Sequence, residues 1–454
     1  MTRLNSLAIF WLITATSIYA DELDLFSLSL EDLSKLEINS ASGITEKLTQ
    51  VPTPISIITD QMIKNSGVST IRDLLTLYVP SFTQVQDHNE YNVSFRGIYT
   101  SSQQKFLIML NGHRLNGRAY SMANPDHAIA LEKVKHIEVL RGPGSSVHGN
   151  IALTNVINII TKSGAEVAGL NGTVELGNHG YKELYLEYGQ QQKALDYFSW
   201  FKFVQSDGEE YQILPIDDYS ISPKNTPVTS RLDGFFDKPS FDLGLTVEFD
   251  KQLSFLVNYR QGHYVEPLTT GGSSGEAYNL DDFPLVDGVN PGTISEWWHI
   301  YLQKSWQLDE SNSIKFKAYY DNNNIAGPVT TNAQTSSFLD VSWQEYDYGF
   351  SALWQRDFDT ETILWGVDYD YTKVFESQAL AGSEGKVTGP ILFDGEPVLR
   401  LGSESILSSY LQIKKYFNDS WLLNAGIRYD AKNRLTGKDI NEISPRIALV
   451  YEGE

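Results

Sequence analysis

The residues best suited by type and spacing to do chemistry are Arg141-Gly142-Pro143-Gly144, with Gly149 five residues on. A glycine-rich turn after a strand can cradle phosphate, provided that a helix N-terminus follows it. No helical period follows here. Ile137, Val139 and Leu140 precede the turn, and Val156 to Thr161 is β-branched apart from Asn158. Ile137 to Lys162 therefore reads as strand, glycine turn, strand. Other chemistry is scarce: the chain has no HExxH, nucleophile elbow or P-loop. His113, His127, His136 and His148 lack metal-ligand spacing, so no metal site is expected. Asp207-Gly208-Glu209-Glu210 and Asp217-Asp218 read as a solvated acidic loop, with Ca²⁺ binding the alternative. No cysteine is present, which removes thiol chemistry and disulfides. Neither an enzyme nor a resident cofactor is expected.

Composition narrows the class further. Against 57 Asp and Glu stand 35 Lys and Arg, a net charge of −22 that excludes a nucleic-acid phosphate backbone as partner. The 25 Tyr and 9 Trp suit aromatic girdles at a bilayer interface. Met1 to Ala20, with Arg3, the apolar Leu7–Ile13 and Tyr19-Ala20 before Asp21, reads as a secretory signal peptide. Beyond it no stretch is apolar for the ~20 residues a spanning helix needs. Asp21 to Gln50 is acidic and aperiodic, and reads as mobile.

The elements that must hold the glycine turn follow. Val51–Thr59 reads as a strand after the Pro52/Pro54 edge, Thr59 caps a helix ending near Gly67, and Ser69 caps a second that Pro80 stops. Val93–Gly97 and Phe106–Leu110 read as strands, and Asn111-Gly112 as a type I′ turn. Residues 51–163 thus form a small α+β domain. From Gly169 the pattern becomes amphipathic strands: Ile314, Phe316, Ala318 and Tyr320, for example, alternate with Lys315, Lys317, Tyr319 and Asp321. Short links at 190–195, 250–252, 308–312, 357–361 and 417–420 alternate with long ones at 205–240, 263–296, 322–342, 374–404 and 431–442. Membrane barrels alternate short periplasmic turns with long outer loops in this way.

Four segments, Val51–Thr59, Phe95-Arg96-Gly97, Leu110-Asn111-Gly112-His113-Arg114 and Ile137–Lys162, resemble the plug domain of TonB-dependent outer-membrane receptors. Two departures are His148, where the family usually has Tyr, and Asn155, where a small residue is usual. The resemblance implies an α+β plug domain followed by an antiparallel transmembrane β-barrel, here about twelve of about 22 strands. It divides the chain into a signal peptide (1–20), a periplasmic segment (21–50), the plug (51–163) and an incomplete barrel (164–454). The ending Tyr451-Glu452-Gly453-Glu454 directly after a strand reads as a C-terminal truncation. Leu36, Glu37, Ile38, Asn39, Ser40 and Ala41 resemble a TonB box, which would add as a strand to a partner's sheet edge.

By the same resemblance, Arg96 and Arg141 latch the plug to barrel carboxylates, and Gly97, Gly142, Gly144 and Gly149 shape the plug turns. His88, Tyr91, Tyr99, Arg114 and Tyr120, in plug loops, become the ligand-binding candidates. The implied partners are the periplasmic TonB energy-transducing protein, outer-membrane lipid and a small metal chelate, and the implied place is the outer membrane of a Gram-negative bacterium. The implied function is active uptake of that chelate, a ferric siderophore first, with cobalamin or haem as alternatives. A passive porin-like channel, a secreted carbohydrate-active β-protein and a non-functional truncated receptor remain the rival readings.

Overall fold

The structure, a computed structural model, describes residues 37–38, 46–48, 51–87, 90–100, 104–123, 128–149, 152–213, 228–232, 239–264, 269, 283–286, 288, 291–391, 395–418 and 420–451. The expected signal peptide lies outside them. Of the TonB-box-like stretch only Glu37 and Ile38 lie inside.

Two short strands, β1 (Glu37–Ile38) and β2 (Glu46–Lys47), pair with each other, and Ile38 is fully buried. The plug follows as β3 (Ile55–Thr59), α1 (Asp60–Ser66), α2 (Ile71–Tyr78), β4 (Phe82–Asp87), β5 (Glu90–Phe95), β6 (Phe106–Leu110), β7 (His113–Arg114), β8 (Val134–Leu140), α3 (Ser145–His148), β9 (Asn155–Thr161) and α4 (Gly164–Val167). Its main sheet runs β3-β8-β9-β6-β7, with β6 and β9 parallel. β3 begins at Ile55, directly after the Pro52/Pro54 edge, whose prolines cannot donate to the ladder. The Thr59 side chain accepts from the Met62 amide, and Gly67, at φ +69°, ends α1 in the left-handed region. The expected cap of α2 at Ser69 is corrected to Thr70. Thr70 directly precedes the first helical residue, and its Oγ1 accepts from the Asp73 amide at 3.2 Å. Asn111 and Gly112 both have positive φ, 49° and 72°, as a type I′ turn requires.

The plug core is apolar. Ile58, Ile71, Leu74, Leu75, Leu110, Ile137, Ile157 and Ile159 are all fully buried. The glycine turn joins β8 to β9 but encloses the one-turn helix α3, a correction to the uninterrupted turn expected. Four residues carry no readable helical period.

The remaining strands are β10 (Gly169–Leu176), β11 (Lys182–Gln192), β12 (Leu195–Gln205), β13 (Glu209–Ile213), β14 (Val228–Leu232), β15 (Ser240–Phe249), β16 (Leu253–Tyr264), β17 (Thr293–Gln307), β18 (Asn312–Asn332), β19 (Ser337–Asp357), β20 (Glu361–Ser383), β21 (Lys386–Pro390), β22 (Gly402–Asn418), β23 (Trp421–Asn433) and β24 (Ile440–Tyr451). Apart from the separate β13–β14 hairpin they form one 13-stranded antiparallel sheet, ordered β10-β11-β12-β15-β16-β17-β18-β19-β20-β22-β23-β24 with β21 on β20. Among the described residues β10 and β24 are its open edges. This sheet is the wall of a partial barrel beside the plug. The alternation is apolar-out: Phe316 and Tyr320 are 38% and 44% exposed, whereas Asp321 is 7%. Among the described residues no helix is long and apolar enough to cross a membrane, so any crossing is made by strands.

The expected long links at 322–342 and 374–404 are corrected. β18, β19 and β20 run for 21, 21 and 23 residues, and β18 and β19 meet across only 333–336. At about 3.3 Å per residue such strands reach about 70 Å, far beyond a ~30 Å hydrocarbon layer. Their outer halves exceed what a bilayer would need and lack the regular apolar face that marks a membrane strand.

Candidate functional site at the seam between plug and wall

The seam is built from plug loops that follow β6, β7 and the 128–133 segment, facing inward side chains of the wall. The first loop is organised by Asn116. Its Nδ2 donates to Phe106 O and Ser121 O at 3.0 and 3.1 Å, and its Oδ1 accepts from Ile108 N at 2.9 Å. That fold presents the Arg118 and Ala119 amides to the two carboxylate oxygens of Glu345, each at 3.0 Å. At Gly117 a Cβ would lie 2.5 Å from Glu345 Oε1, so a larger residue would displace that carboxylate from the loop amides. Opposite Glu345 the β19–β20 ladder skips Phe375, a bulge that re-aims the neighbouring side chains. Arg118 pairs with Asp370 at 3.0 Å and lies over the Tyr319 ring. Burial acts to lower its pKa, but Asp370 and Tyr319 outweigh burial and raise it, so the charge is fixed.

Asp242 is the most heavily used wall carboxylate. Oδ2 accepts from Lys133 Nζ at 2.5 Å and Ala130 N at 2.8 Å; Oδ1 accepts from Trp200 Nε1 and Asn258 Nδ2, both at 2.8 Å. The carboxylate and ammonium are fully buried and mutually satisfied. Beside them Lys202 bridges Glu132 and Glu183 at 2.9 and 3.1 Å. Burial acts to raise the Glu132 carboxyl, yet the Lys202 ammonium holds it below its usual range. At α4, Asp196 accepts from the Gly164 and Ala165 amides at 2.7 and 2.9 Å. On the far side Arg428 donates to Asp430 and Asp368 and touches Val147 O of α3, while Lys414 pairs with Glu46 of β2. A cavity of about 260 Å³ lies there, bordered by Gly112, Arg118, Lys317, Asp368 and Arg428. One apolar patch joins the two parts: Phe198, Trp200, Leu256 and Tyr301 of the wall extend the plug core.

The expected site residues fall in different places. Arg96 Nη2 donates to Arg141 O at 3.5 Å, and neither arginine forms an ion pair among the described residues. The ion pairs described across the seam belong to Lys133, Lys162, Arg118, His113, Glu132 and Glu46, which sequence reasoning did not select. Gly97 and Gly149 sit at φ +74° and +77°, whereas Gly142 and Gly144 are required by crowding from Thr53 and Val156. Arg114 is turned inward: it donates to Asn116 O and Gly117 O at 2.9 and 2.8 Å, bracing its own loop, and burial lowers its pKa to about 10. Tyr120 stands against Trp343, 5.4 Å between centroids, beside Met122 and Trp297. Tyr99 receives a 3.5 Å contact from Asn92 Nδ2. Tyr91 lies on β5, and His88 lies outside the described residues.

Comparison with known proteins agrees with this geometry. Residues 47–156 match the family model "TonB-dependent Receptor Plug Domain". The vitamin B12 transporter BtuB of Vibrio cholerae serotype O1 is 28% identical over 300 residues, 62% of this chain and 45% of that protein. The chain therefore spans about half the length of the curated relatives it matches. The Pseudomonas aeruginosa receptor FpvA, bound to an iron pyoverdine, superposes with a TM-score of 0.66 at 14% identity, over 94% of this chain and 58% of that one. The unliganded ferric citrate transporter FecA superposes at 0.60 and 13%, over 88% and 60%. The copper transporter OprC does so at 0.58 and 14%, over 87% and 59%. Residues 47–156 are thus a TonB-dependent receptor plug domain, and the sheet that follows has the fold of the barrel wall in these receptors.

Proposed function

We propose that this protein is an outer-membrane receptor for the energised uptake of a small metal chelate, a ferric siderophore first among the candidates. The observation that carries the reading is the seam itself. An apolar plug core is bounded by a largely charged, hydrogen-bonded interface with the wall. Polar contacts of this kind exchange with water at small net cost once opened, whereas an apolar interface does not. A plug so held can be displaced and can return.

In this reading the chelate arrives from the side of the extended strands, where Tyr120 is half-buried and backed by the buried Trp343. The Leu36–Ala41 stretch is the coupling segment, and a periplasmic TonB protein adds to it as a strand. Glu37 and Ile38 are paired with β2, and Glu46 of β2 is tied to wall Lys414, so engagement of the segment would pull on the seam. Arg96 and Arg141 stay candidates for a latch, and the neighbours' cargoes, iron pyoverdine and ferric citrate, favour iron.

The test is ligand binding by the full chain extracted from outer membranes, read by tryptophan fluorescence against a panel of ferric siderophores, haem and cobalamin. Saturable quenching by one ferric chelate, with little ion conductance in planar bilayers, supports the reading. Free conductance without binding would establish a passive channel instead.

A further inference from the structure

We infer that His113, His299 and Asp321 form a binding site for a divalent transition-metal ion, with Zn²⁺ and Cu²⁺ the best fits, that bridges plug and wall. His113 comes from plug strand β7, His299 from β17 and Asp321 from the adjacent β18. Nothing in the proposed chelate uptake requires such a site, so the two readings stand or fall separately.

The geometry is specific. His113 Nε2 and His299 Nδ1 both point at Asp321 Oδ1, at 2.7 and 3.0 Å, and one ligand atom from each residue lies within 4.8 Å of the others. The rings stand edge to face with centroids 5.7 Å apart. All three residues are buried, at 2%, 2% and 7% exposure. A tetrahedral ion with ~2.0–2.1 Å bonds needs ligand atoms a little over 3 Å apart, and both nitrogens already lie near that distance from Asp321 Oδ1. Two imidazoles and one carboxylate select a borderline transition ion over Mg²⁺ or Ca²⁺, which prefer oxygen alone. His113 also borders the 260 Å³ cavity, which leaves a route in from its side.

The surroundings set the strength. Arg260 Nη2 lies 3.3 Å from His299 Nε2, and Lys317, over the Tyr301 ring, donates to Gly112 O beside His113. On metal binding, the proton of each ligating nitrogen moves to the other ring nitrogen or to water, and at His299 the moved proton faces Arg260. Two nearby cations oppose a dication, so the ion is held more weakly than at a structural zinc site and can be released. Bound, it would clamp β7 to the wall more firmly than the His113–Asp321 hydrogen bond that holds it without metal.

The experiment uses the untagged full chain in detergent, stripped with chelator and then incubated with Zn²⁺ alone or Cu²⁺ alone. The expected result is one equivalent of metal retained per chain, and affinity weakened about tenfold or more in each of His113→Gln, His299→Gln and Asp321→Asn. Cu²⁺ electron paramagnetic resonance of the wild-type chain decides the matter even where a variant fails to fold. Coupling to two nitrogens supports the site. A spectrum with oxygen ligands alone, no retained metal, or a folded H113Q that binds like wild type would overturn it.

Discussion

The plug interior and the plug's outer seam are built on opposite rules. Inside, Leu74, Leu75, Ile137, Val139 and Ile157 are fully buried hydrocarbon. A few ångströms outward, Asp242, Glu345, Asp321 and Asp370 of the wall collect amides, ammonium, guanidinium and imidazole groups of the plug. Burial of apolar area holds the interior, to which Phe198, Trp200, Leu256 and Tyr301 of the wall add at one patch. The seam depends on matched partners, and each partner lost leaves a buried charge or dipole uncompensated. The contrast teaches that this domain is a folded unit seated in its wall by exchangeable contacts.

The largest expected break of that contrast is Asp242→Ala. It strands Lys133, Trp200, Asn258 and the Ala130 amide at once and should cost about 3–5 kcal/mol of seam stability. Limited proteolysis should then cut the 128–133 segment readily, with β6, β8 and β9 still protected. Leu75→Ala tests the other side. It opens a cavity in the plug core worth about 2–5 kcal/mol and should lower plug protection throughout, seam and core together.

Asn155→Ala sharpens the contrast in the stabilising direction. Both polar atoms of the Asn155 side chain are buried in the plug without a partner, a violation of the interior's own rule. Its removal should stabilise the plug by about 1–3 kcal/mol in a urea titration, less whatever packing is lost. The smallest effect is that of acid on Glu132. Its folded pKa lies below the usual 4.5, so its contribution is complete above about pH 4.5 and disappears as pH falls through the folded value. Glu132→Gln should flatten the acid dependence of seam opening near Lys202 in hydrogen exchange, and an unchanged profile would remove Glu132 from the seam.

The plug's local structure was legible because its signals are short-range: Thr59 and Gly67 bracket α1, and Asn111-Gly112 turns β6 into β7. The wall was legible wherever the strands carry an apolar outer face, as at Phe316 and Tyr320. It ceased to be legible further along, where Asn322-Asn323-Asn324 carries no apolar face although β18 continues. The seam was hidden for another reason. His113 and Asp321 are 208 residues apart, and nothing local marks either as the other's partner. Arg114 shows the converse: a loop arginine looks like a ligand contact until its neighbours Asn116 and Gly117 are seen to occupy it.

Hydrogen exchange followed by mass spectrometry in low urea tests the central claim most directly, because the seam has its own amide reporters. Arg118 and Ala119 donate to Glu345, Ala130 to Asp242, and Gly164 and Ala165 to Asp196, while the ladders of β6, β8 and β9 report the core. The account predicts that the seam amides exchange at a lower urea concentration than the core ladders, with a range in which the plug is unseated but folded. Loss of both sets together, in one transition, would contradict it.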